Sequence, residues 1–392
     1  MKYDFDTAIN HTATNSIKWD YLQSIFGTGD VLPLWVADMD FASPPCVTEA
    51  LVARARHPVY GYPGTPQALF EAASQWMTRR FNVKVQPEWM TAVSGVESGL
   101  NAAVEAFTRP GDNIIVQPPV YPPFFNVALS RGRHVIENPL REQDGHYVMD
   151  FEDLRSKIDD RTKLLILCNP HNPVGRVWTK EELVHVAAIC AERDILILTD
   201  EIHADLVYGK DTHIPFASLG PEASERCITF LSPSKTFNVA GLFTSIAFTE
   251  NAELLKRLQA SIRKAGTDHV NLFGIEACIA AYKGGEEWLE ELLVYLKGNA
   301  VYIERFLQER LPQIRMRVPE ATYLGWLDFR RLGFSGGELK QFMVEEARLG
   351  LNNGASFGTG GEGFQRINFG CSRAMLEEAM LRLEKAVCER RG

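Results

Sequence analysis

The sequence has little of what a membrane protein, a secreted protein or a nucleic-acid-binding protein needs. Its longest apolar runs, 164–168 and 195–198, are far shorter than the ~20 residues that cross a bilayer. The first ten residues are acidic and polar where a signal peptide is apolar. Acidic residues (50) outnumber basic ones (41), which gives a net charge of −9 at pH 7 instead of the basic face of a nucleic-acid binder. We therefore expect a cytoplasmic protein with a small-molecule ligand and no nucleic-acid or membrane partner.

The cysteines are also sparse and scattered. Seven stand singly in 392 residues without a CxxC pair, which argues against a disulfide framework and against a zinc ribbon. Internal repeats and low-complexity linkers are absent from the sequence. The 45% hydrophobic and 23% charged content is that of an ordinary globular protein, and at roughly 100–200 residues per domain the length predicts two or three folded units.

Strands and helices alternate in the middle of the chain. Several β-branched runs are apolar almost throughout, as strands buried on both faces are. Thr179 and Glu182 have the spacing of a helix capping box. The alternation predicts an α/β fold with a mostly parallel sheet and a ligand at the carboxyl ends of its strands. The predicted strands are 90–94, 113–117, 162–169, 195–199, 227–231 and 244–249, and the clearest predicted helices are 97–107 and 180–194.

The pattern changes after about residue 285. A long helix is predicted at 286–311, and the rest is typical of a small α+β unit, with strands near 322–330 and 365–369 and helices near 337–347 and 374–391. The first 47 residues are loop-rich and too few to fold alone. We therefore expect residues 1–47 and 286–392 to form a small domain beside a large domain at 48–285.

Four polar motifs follow predicted strands. They are SGVE at 94–97, NPHNPVG at 169–175, DEIH at 200–203 and SPSKTFN at 232–238. Each has an ordinary structural explanation: a glycine-containing turn, a rigid Asn-Pro turn, a helix-capping acid and an exposed turn lysine.

Each motif also has a chemical explanation. A small-residue turn before a helix offers free N–H groups to a phosphate. Asn172 in its rigid turn can hold an amide over a ligand, and Asp200 ends a buried strand with an acid. Lys235 at a strand end is costly to bury unless it is paired or covalently used; by itself the motif favours the exposed turn lysine, and the chemical alternative is a Schiff-base lysine.

In this order and at these spacings, the motifs resemble those of the fold-type I pyridoxal-phosphate enzymes, the aminotransferase superfamily. The resemblance covers essentially the whole chain. More narrowly, VADMDFASPP, PPVYPPFFN, NPHNPVGRVW, SPSKTFNVAG and FQRINFGCS resemble the cystathionine β-lyase branch, which includes cystalysin-type C–S lyases. This resemblance implies an aspartate aminotransferase-like fold, with a mostly parallel seven-stranded sheet in the large domain and a smaller α+β domain. It also implies pyridoxal 5′-phosphate as cofactor, a homodimer, and cystathionine, cysteine or an S-substituted cysteine as substrate.

The resemblance implies roles for individual side chains. Lys235 matches the Schiff-base lysine and catalytic base, and Asp200 matches the carboxylate that pairs with the pyridinium nitrogen. Asn172 matches the amide that bonds the phenolic oxygen of the cofactor, and Tyr121 matches the ring that stacks on the pyridine. Arg366 matches the arginine that grips the α-carboxylate of the substrate, beside Asn172 and Tyr121.

A second group matches the residues that hold the phosphate. The backbone N–H groups of Val96 and Glu97 and the Ser232 hydroxyl form this set, with Ser234 as a weaker member. Tyr62 matches a tyrosine that reaches the phosphate from the neighbouring subunit.

Two positions depart from the pattern of many aminotransferases. Phe243 stands where they carry a phosphate-binding arginine, and His203 stands where they carry a tyrosine. We expect His203 to hydrogen-bond near the cofactor ring or Asp200. Composition alone also allows a metal site formed by Glu201, His203, Asp205 and His213, but the acid pairs better with a pyridinium, and no metal is expected.

The function implied by the resemblance is a β-lyase that releases a thiol, pyruvate and ammonia. Tyr121 or Lys235 could protonate the leaving sulfur. Aminotransfer with the same cofactor is the alternative, although Phe243, His203 and the VADMDF segment count against it. A regulatory binding role would be additional to catalysis. A dehydrogenase is disfavoured because no GxGxxG follows the first strand.

Overall fold

Helices and short strands make up the chain over residues 2–209 and 213–390, which the computed structural model describes. The strands are β1 (Leu32–Pro33), β2 (Met90–Val93), β3 (Asn113–Val116), β4 (His134–Glu137), β5 (Arg141–Gln143), β6 (His146–Val148), β7 (Thr162–Cys168), β8 (Leu196–Asp200), β9 (Cys227–Leu231), β10 (Ser245–Phe248), β11 (Leu324–Asp328), β12 (Leu349–Gly350), β13 (Asn352–Asn353) and β14 (Phe364–Asn368).

The α-helices lie on both sides of the largest sheet and along the C-terminal part of the chain. They are α1 (Ile17–Asp20), α2 (Leu22–Phe26), α3 (Pro45–Ala55), α4 (Gln67–Phe81), α5 (Val96–Phe107), α6 (Pro123–Leu129), α7 (Phe151–Lys157), α8 (Lys180–Glu192), α9 (Pro221–Ser224), α10 (Pro233–Thr236), α11 (Ala252–Lys264), α12 (Leu272–Gly284), α13 (Glu286–Arg310), α14 (Gly336–Gln341) and α15 (Arg373–Glu389). In the part of the chain that is described, none of the helices is long and apolar enough to span a bilayer.

The main sheet has seven strands in the order β2-β10-β9-β8-β7-β3-β4. Only β10 runs against its neighbours, and the other strands are parallel to one another. The predicted mostly parallel seven-stranded sheet is therefore confirmed. The six individually predicted strands correspond to β2, β3, β7, β8, β9 and β10. The sequence did not reveal β4, a four-residue edge strand whose side chains are only partly buried.

The sheet separates two apolar clusters. On β7, Leu165 and Leu167 point into one cluster, and Leu164 and Ile166 point into the other. All four side chains are fully buried, as the period-2 alternation of a strand covered on both faces requires. The predicted double-sided burial of the central strands is confirmed.

The C-terminal elements also agree with the sequence. The predicted long helix is α13, and the two predicted strands are β11 and β14, which pair antiparallel and are extended by β13. The helix predicted at 337–347 is α14 followed by a π-helical turn, Phe342–Glu346. The predicted capping box is present at α8, where Thr179 Oγ1 accepts the Glu182 N–H and Glu182 Oε2 accepts the Thr179 N–H.

The N-terminal segment packs on these C-terminal elements. β1 pairs parallel with β12, and the backbone N–H of Asn368 donates to the carbonyl of Leu34. One step further on, the N–H of Asp40 donates to the carbonyl of Gly370. These bonds agree with the expected association of the two chain ends, while the division at residues 48 and 285 stays a prediction.

A buried ion pair anchors α1 to this segment. Lys18 Nζ donates to Asp40 Oδ2 at 2.7 Å, and the Lys18 side chain is only 1% exposed. Burial acts to lower the pKa of Lys18, but the Asp40 and Asp38 carboxylates outweigh it and raise that pKa. Asp40 also accepts the Trp19 indole N–H at 2.9 Å. The N-terminal segment is thus held by a charge pair that water barely reaches.

Replacing Lys18 by Met should destabilise the protein strongly. The variant leaves the Asp40 carboxylate buried without its cation, and removing one partner of a buried pair typically costs about 3–5 kcal/mol. The free energy of unfolding in urea is the measurement.

The surface pair of Lys2 and Glu287 supplies the matched control. Both side chains are more than half exposed, so Lys2→Met should leave the unfolding midpoint in place. A Lys18→Met midpoint equal to that of Lys2→Met would contradict the anchoring role of the buried pair.

Candidate active site

The predicted site residues converge at one edge of the main sheet. Because β7, β8 and β9 are parallel, their carboxyl ends meet there. A cavity of about 440 Å³ opens at this edge. Nine of the predicted residues line it: Val96, Glu97, Tyr121, Asn172, Asp200, His203, Ser234, Lys235 and Arg366. Ser232 and Tyr62 do not.

Lys235 projects into the cavity from α10, the short helix after β9. Its Nζ donates to the carbonyl of Ala37 at 2.6 Å. Burial lowers the pKa of Lys235 to about 8, against the opposing effect of the Asp38 carboxylate. An amine with this pKa is partly neutral near physiological pH, as a nucleophile or a base must be.

Asp200 ends β8 and is 4% exposed. One carboxylate oxygen, Oδ1, accepts the Ile202 N–H at 3.1 Å. Burial raises the pKa of Asp200 to about 7, although the Ile202 N–H and the Lys235 charge act to lower it. A buried carboxylate with so little compensation is suited to a cationic group on a bound ligand.

Arg366, on β14, reaches the cavity from the second sheet. Its Nη1 donates to Asn172 Oδ1 at 3.0 Å, and its Nη2 donates to Asn352 Oδ1 at 2.7 Å and to the Trp35 carbonyl at 2.9 Å. The guanidinium also lies 5.1 Å from the centre of the Phe357 ring. Burial lowers its pKa to about 10, so it stays charged at neutral pH. Its partners are neutral, which leaves the positive charge available to an anionic ligand.

Tyr121 stands in the cavity wall with its ring edge-on to Phe124, the centroids 5.9 Å apart. Burial, together with the negative charges of Glu97 and Asp200, raises the pKa of Tyr121 to about 12. The phenol is therefore neutral and able to donate a proton.

His203 lines the cavity beside Tyr323. Its ring is edge-on to Tyr323 at 6.0 Å, and no hydrogen bond joins it to Asp200. Its buried Nδ1 has no hydrogen-bond partner among the described residues. Burial, helped by the positive charges of Lys235 and Arg366, lowers the pKa of His203 to about 3, so the imidazole is neutral. The turn after β8 directs the imidazole towards Tyr323, and the expectation that His203 hydrogen-bonds near the cofactor ring or Asp200 stays a prediction.

The opposite end of the cavity is formed by the N-terminus of α5. Gly95 precedes the helix at φ 109° and ψ 152°, a conformation that favours glycine. No side chain caps this helix, so the N–H groups of Val96 and Glu97 are available to an anion. The Ser94, Ser234 and Ser245 side chains complete this end of the wall.

The two serines predicted to hold the phosphate lie at different depths. Ser232 caps α10 by accepting the Ser234 N–H at 3.2 Å, and its hydroxyl also accepts from Ser245 Oγ at 2.9 Å. It therefore lies behind the wall and supports Ser234 and Ser245, which face the cavity. The sequence did not reveal Ser245, because it is an ordinary strand residue on β10.

Tyr62 lies away from the cavity of its own chain. It is 97% exposed, and its ring centroid is 6.2 Å from that of His269. The sequence prediction gave Tyr62 to the site of a neighbouring subunit, and this exposure is compatible with that prediction.

Glu201, His203, Asp205 and His213, the four residues weighed as a metal site, do not form one cluster. His213 Nε2 lies 2.8 Å from Glu201 Oε2, and Asp205 accepts from the Trp76 indole and the Thr236 hydroxyl. Over residues 2–209 and 213–390, no group of three or more His, Cys, Asp and Glu side chains could hold a metal ion.

Backbone carbonyls were the main omission of the sequence prediction. The carbonyl of Trp35 holds Arg366, and that of Ala37 accepts both Lys235 Nζ and the Tyr323 hydroxyl. A carbonyl has no residue-type signature. The only available signal was the family-like segment VADMDF, which does not reveal what its backbone contacts.

Comparisons with known proteins agree with this geometry. The family model for aminotransferase class I and II matches residues 29–383. The chain is 43% identical over 385 residues to cystathionine beta-lyase PatB of Bacillus subtilis, covering 98% of this chain and 100% of that protein.

Solved structures are similarly close. Cystalysin from Treponema denticola, which contains a pyridoxal 5′-phosphate cofactor, superposes with a TM-score of 0.96 at 36% identity over the whole of both chains. The PLP-bound C–S lyase from Staphylococcus hominis superposes with a TM-score of 0.91 at 31% identity, over 98% of each chain.

Replacing Asp200 by Asn tests the cost of burying its carboxylate in the ligand-free protein. The pKa of Asp200 is about 7 in the folded state and 3.8 ordinarily, so between these values the folded state binds the proton more tightly than the unfolded state. Wild-type stability should therefore fall relative to Asp200→Asn as the pH rises through this window, by at most about 1.4 kcal/mol per pH unit, and the difference should level off above it. Urea unfolding from about pH 4 to 8 measures the difference.

Asp160→Asn, at an exposed position, is the control and should show no such pH dependence. A difference between wild type and Asp200→Asn that does not change with pH would contradict the raised pKa.

Proposed function

The chain belongs to the aminotransferase class I and II family, and we propose that it is a pyridoxal 5′-phosphate-dependent lyase that cleaves the Cβ–S bond of cystathionine and other cysteine S-conjugates. One water is consumed, and the products are a thiol, pyruvate and ammonia. The observation that carries the proposal is the convergence of Lys235, Asp200 and Arg366 on one cavity. Alignment of 98% of the chain with a cystathionine β-lyase supports the choice of reaction.

The cavity fits pyridoxal 5′-phosphate at three points. A protonated ring nitrogen would compensate the carboxylate of Asp200, whose pKa is raised by burial. The uncapped N-terminus of α5 would receive the phosphate at the N–H groups of Val96 and Glu97, beside the Ser234 hydroxyl. Lys235 supplies the amine that would hold the aldehyde carbon.

When bound, the cofactor supplies an electrophilic carbon for amines and a protonated ring that withdraws electrons from the substrate α-carbon. Tyr121 would cover one face of that ring, and Asn172 would donate its amide N–H to the ring oxygen. Asn172 Oδ1 already accepts from Arg366, so the cofactor site and the carboxylate site share one side chain.

Arg366 would bind the α-carboxylate of the substrate. Its guanidinium is fixed on two sides by Asn352 and Asn172, so little conformational freedom is lost on binding. A carboxylate held there orients the Cα–H bond, and Lys235 would remove this proton at its Nζ. The pKa of Lys235, about 8, gives the neutral amine an appreciable population near neutral pH.

The leaving sulfur needs a proton as the Cβ–S bond breaks. The protonated Lys235 Nζ and the Tyr121 hydroxyl are the available donors, because burial keeps the phenol neutral. In either case a side chain of this protein supplies the proton to the sulfur.

We also place the protein in the cytoplasm. All seven cysteines are free, and five of them are buried, which fits a reducing compartment.

The reaction class is tested by incubating the holoenzyme with L-cystathionine, S-methyl-L-cysteine and L-cysteine, and separately with L-alanine and 2-oxoglutarate. We expect pyruvate and thiol from the sulfur compounds. Lys235→Ala should release no thiol, because it removes the base, and borohydride should no longer attach the cofactor to the protein.

Lys180→Ala, an exposed lysine at the start of α8, is the control and should behave as wild type in both assays. Glutamate formation without thiol release would assign the protein to aminotransfer. Normal thiol release by Lys235→Ala would remove that residue from the mechanism.

We further propose a two-fold dimer in which Tyr62 reaches the phosphate site of the partner subunit. Val59, Tyr60, Tyr62 and Phe243 are each more than half exposed, and Phe243 borders the phosphate end of the cavity. Such exposed large apolar side chains favour burial against a second copy of the chain.

Tyr62→Phe should speed release of the cofactor while leaving the sedimentation coefficient of the dimer unchanged, because only one hydroxyl is lost. Tyr60→Phe is the control: the Tyr60 hydroxyl donates to the Ala55 carbonyl of its own chain at 2.7 Å, so cofactor release should stay at the wild-type rate. An active monomer, or equal release rates for the two variants, would argue against the shared site.

A further inference from the structure

An isoleucine stands at the opening of the catalytic cavity. Ile17, the first residue of α1, lines the cavity but is 61% exposed to solvent. Trp35 lies beside it in the cavity wall. We call these two residues the rim. A large apolar side chain exposed at the mouth of a cavity stabilises the complex when an apolar part of a ligand covers it.

The position of the rim is fixed relative to the carboxylate site. The Trp35 indole N–H donates to the Lys18 carbonyl at 3.3 Å, which links Trp35 to α1. The carbonyl of Trp35 in turn accepts from Arg366 at 2.9 Å. The buried pair of Lys18 and Asp40 holds α1 in place. A substrate whose carboxylate is held at Arg366 therefore meets a rim that is tied to the same arginine.

Few charged side chains line the cavity. Among the described residues that line it, the cations are Lys235 and Arg366, and the carboxylates are Glu97 and Asp200. In the proposed complex the α-carboxylate of the substrate already occupies the Arg366 guanidinium. A charged substituent on the substrate sulfur would lose part of its hydration against the side chains of the rim and would meet no opposite charge from this chain. An apolar substituent would instead bury its own surface and that of Ile17.

We propose that Ile17 is a specificity-determining residue that contacts the group on the substrate sulfur, so that the enzyme favours cysteine conjugates with an uncharged apolar S-substituent over those with a second charged end. This inference rests on the proposed β-lyase activity. It ranks an S-benzyl or S-alkyl conjugate above cystathionine, whose far end carries both an ammonium and a carboxylate group.

The experiment compares S-methyl-L-cysteine, S-benzyl-L-cysteine and L-cystathionine as substrates of the holoenzyme, with thiol and pyruvate as products. We expect a higher kcat/KM for the S-benzyl conjugate than for cystathionine. Ile17→Ala should lower the ratio of kcat/KM for S-benzyl over S-methyl roughly five- to tenfold, mainly through KM, because the lost contact is a binding contact. Ile17→Lys should shift preference towards cystathionine by offering its far carboxylate a cation.

Ile25→Ala is the matched control. Ile25 is 48% exposed on α2 of the same segment and does not line the cavity, so its substrate ratios should equal those of wild type. If Ile17→Ala releases thiol with the wild-type ratio of kcat/KM for S-benzyl over S-methyl, or if the wild type prefers cystathionine, the specificity role of Ile17 is wrong and the lyase activity still stands. Absence of thiol from all three conjugates would instead overturn the proposed lyase activity.

Discussion

The chain between Trp35 and Met39 lies between the main sheet and the C-terminal sheet, and its carbonyls hold the site together. The Trp35 carbonyl accepts from Arg366, and those of Val36 and Asp38 accept from Asn368 Nδ2. The Ala37 carbonyl accepts from Lys235 on the other side, and the Met39 carbonyl accepts from Asn238 Nδ2. The turn after β9 and the strand β14 therefore hold this irregular segment from two sides. Lys235 and Arg366 thereby share one support.

The ionisable side chains of the cavity are buried in a way that suits a charged ligand. Burial shifts the pKa of Asp200 upwards and the pKa values of Lys235 and Arg366 downwards, in each case disfavouring the charged form. Each shift is relieved by a ligand group of opposite charge. The free energy spent on burying these side chains is recovered on binding, and the same burial leaves Lys235 with a proton affinity suited to acid–base chemistry.

Sequence alone revealed the parts of the fold and site that a residue type can encode. The central strands were visible because β7 and its neighbours are apolar on both faces, and Lys235, Asp200 and Asn172 were visible because each follows such a strand. The edge strand β4 was missed because a partly buried four-residue strand has no clear period. The hairpin of β5 and β6 was overlooked although its Asp144-Gly145 turn carries a recognisable signal, with both residues at positive φ.

Side-chain direction within a turn was the other limit. Ser232 and Ser234 are two residues apart, and only the geometry of the α10 cap decides that the second faces the cavity. The direction of the His203 imidazole likewise depends on the turn after β8 and on the position of Tyr323, which comes from a distant part of the chain. Such choices are made by tertiary packing, to which local sequence contributes little.

The pairing of β1 with β12 and the bond between Trp35 and Arg366 also determine when the site can form during synthesis. The donor and acceptor of that bond are 331 residues apart, so no nascent chain can close the cavity until Arg366 has left the ribosome. The strands of the main sheet are synthesised earlier and can begin to assemble before β12 and β14, the partners of the N-terminal segment, have been made. Closure of the cavity therefore follows the synthesis of the main sheet and of most of the hydrophobic core.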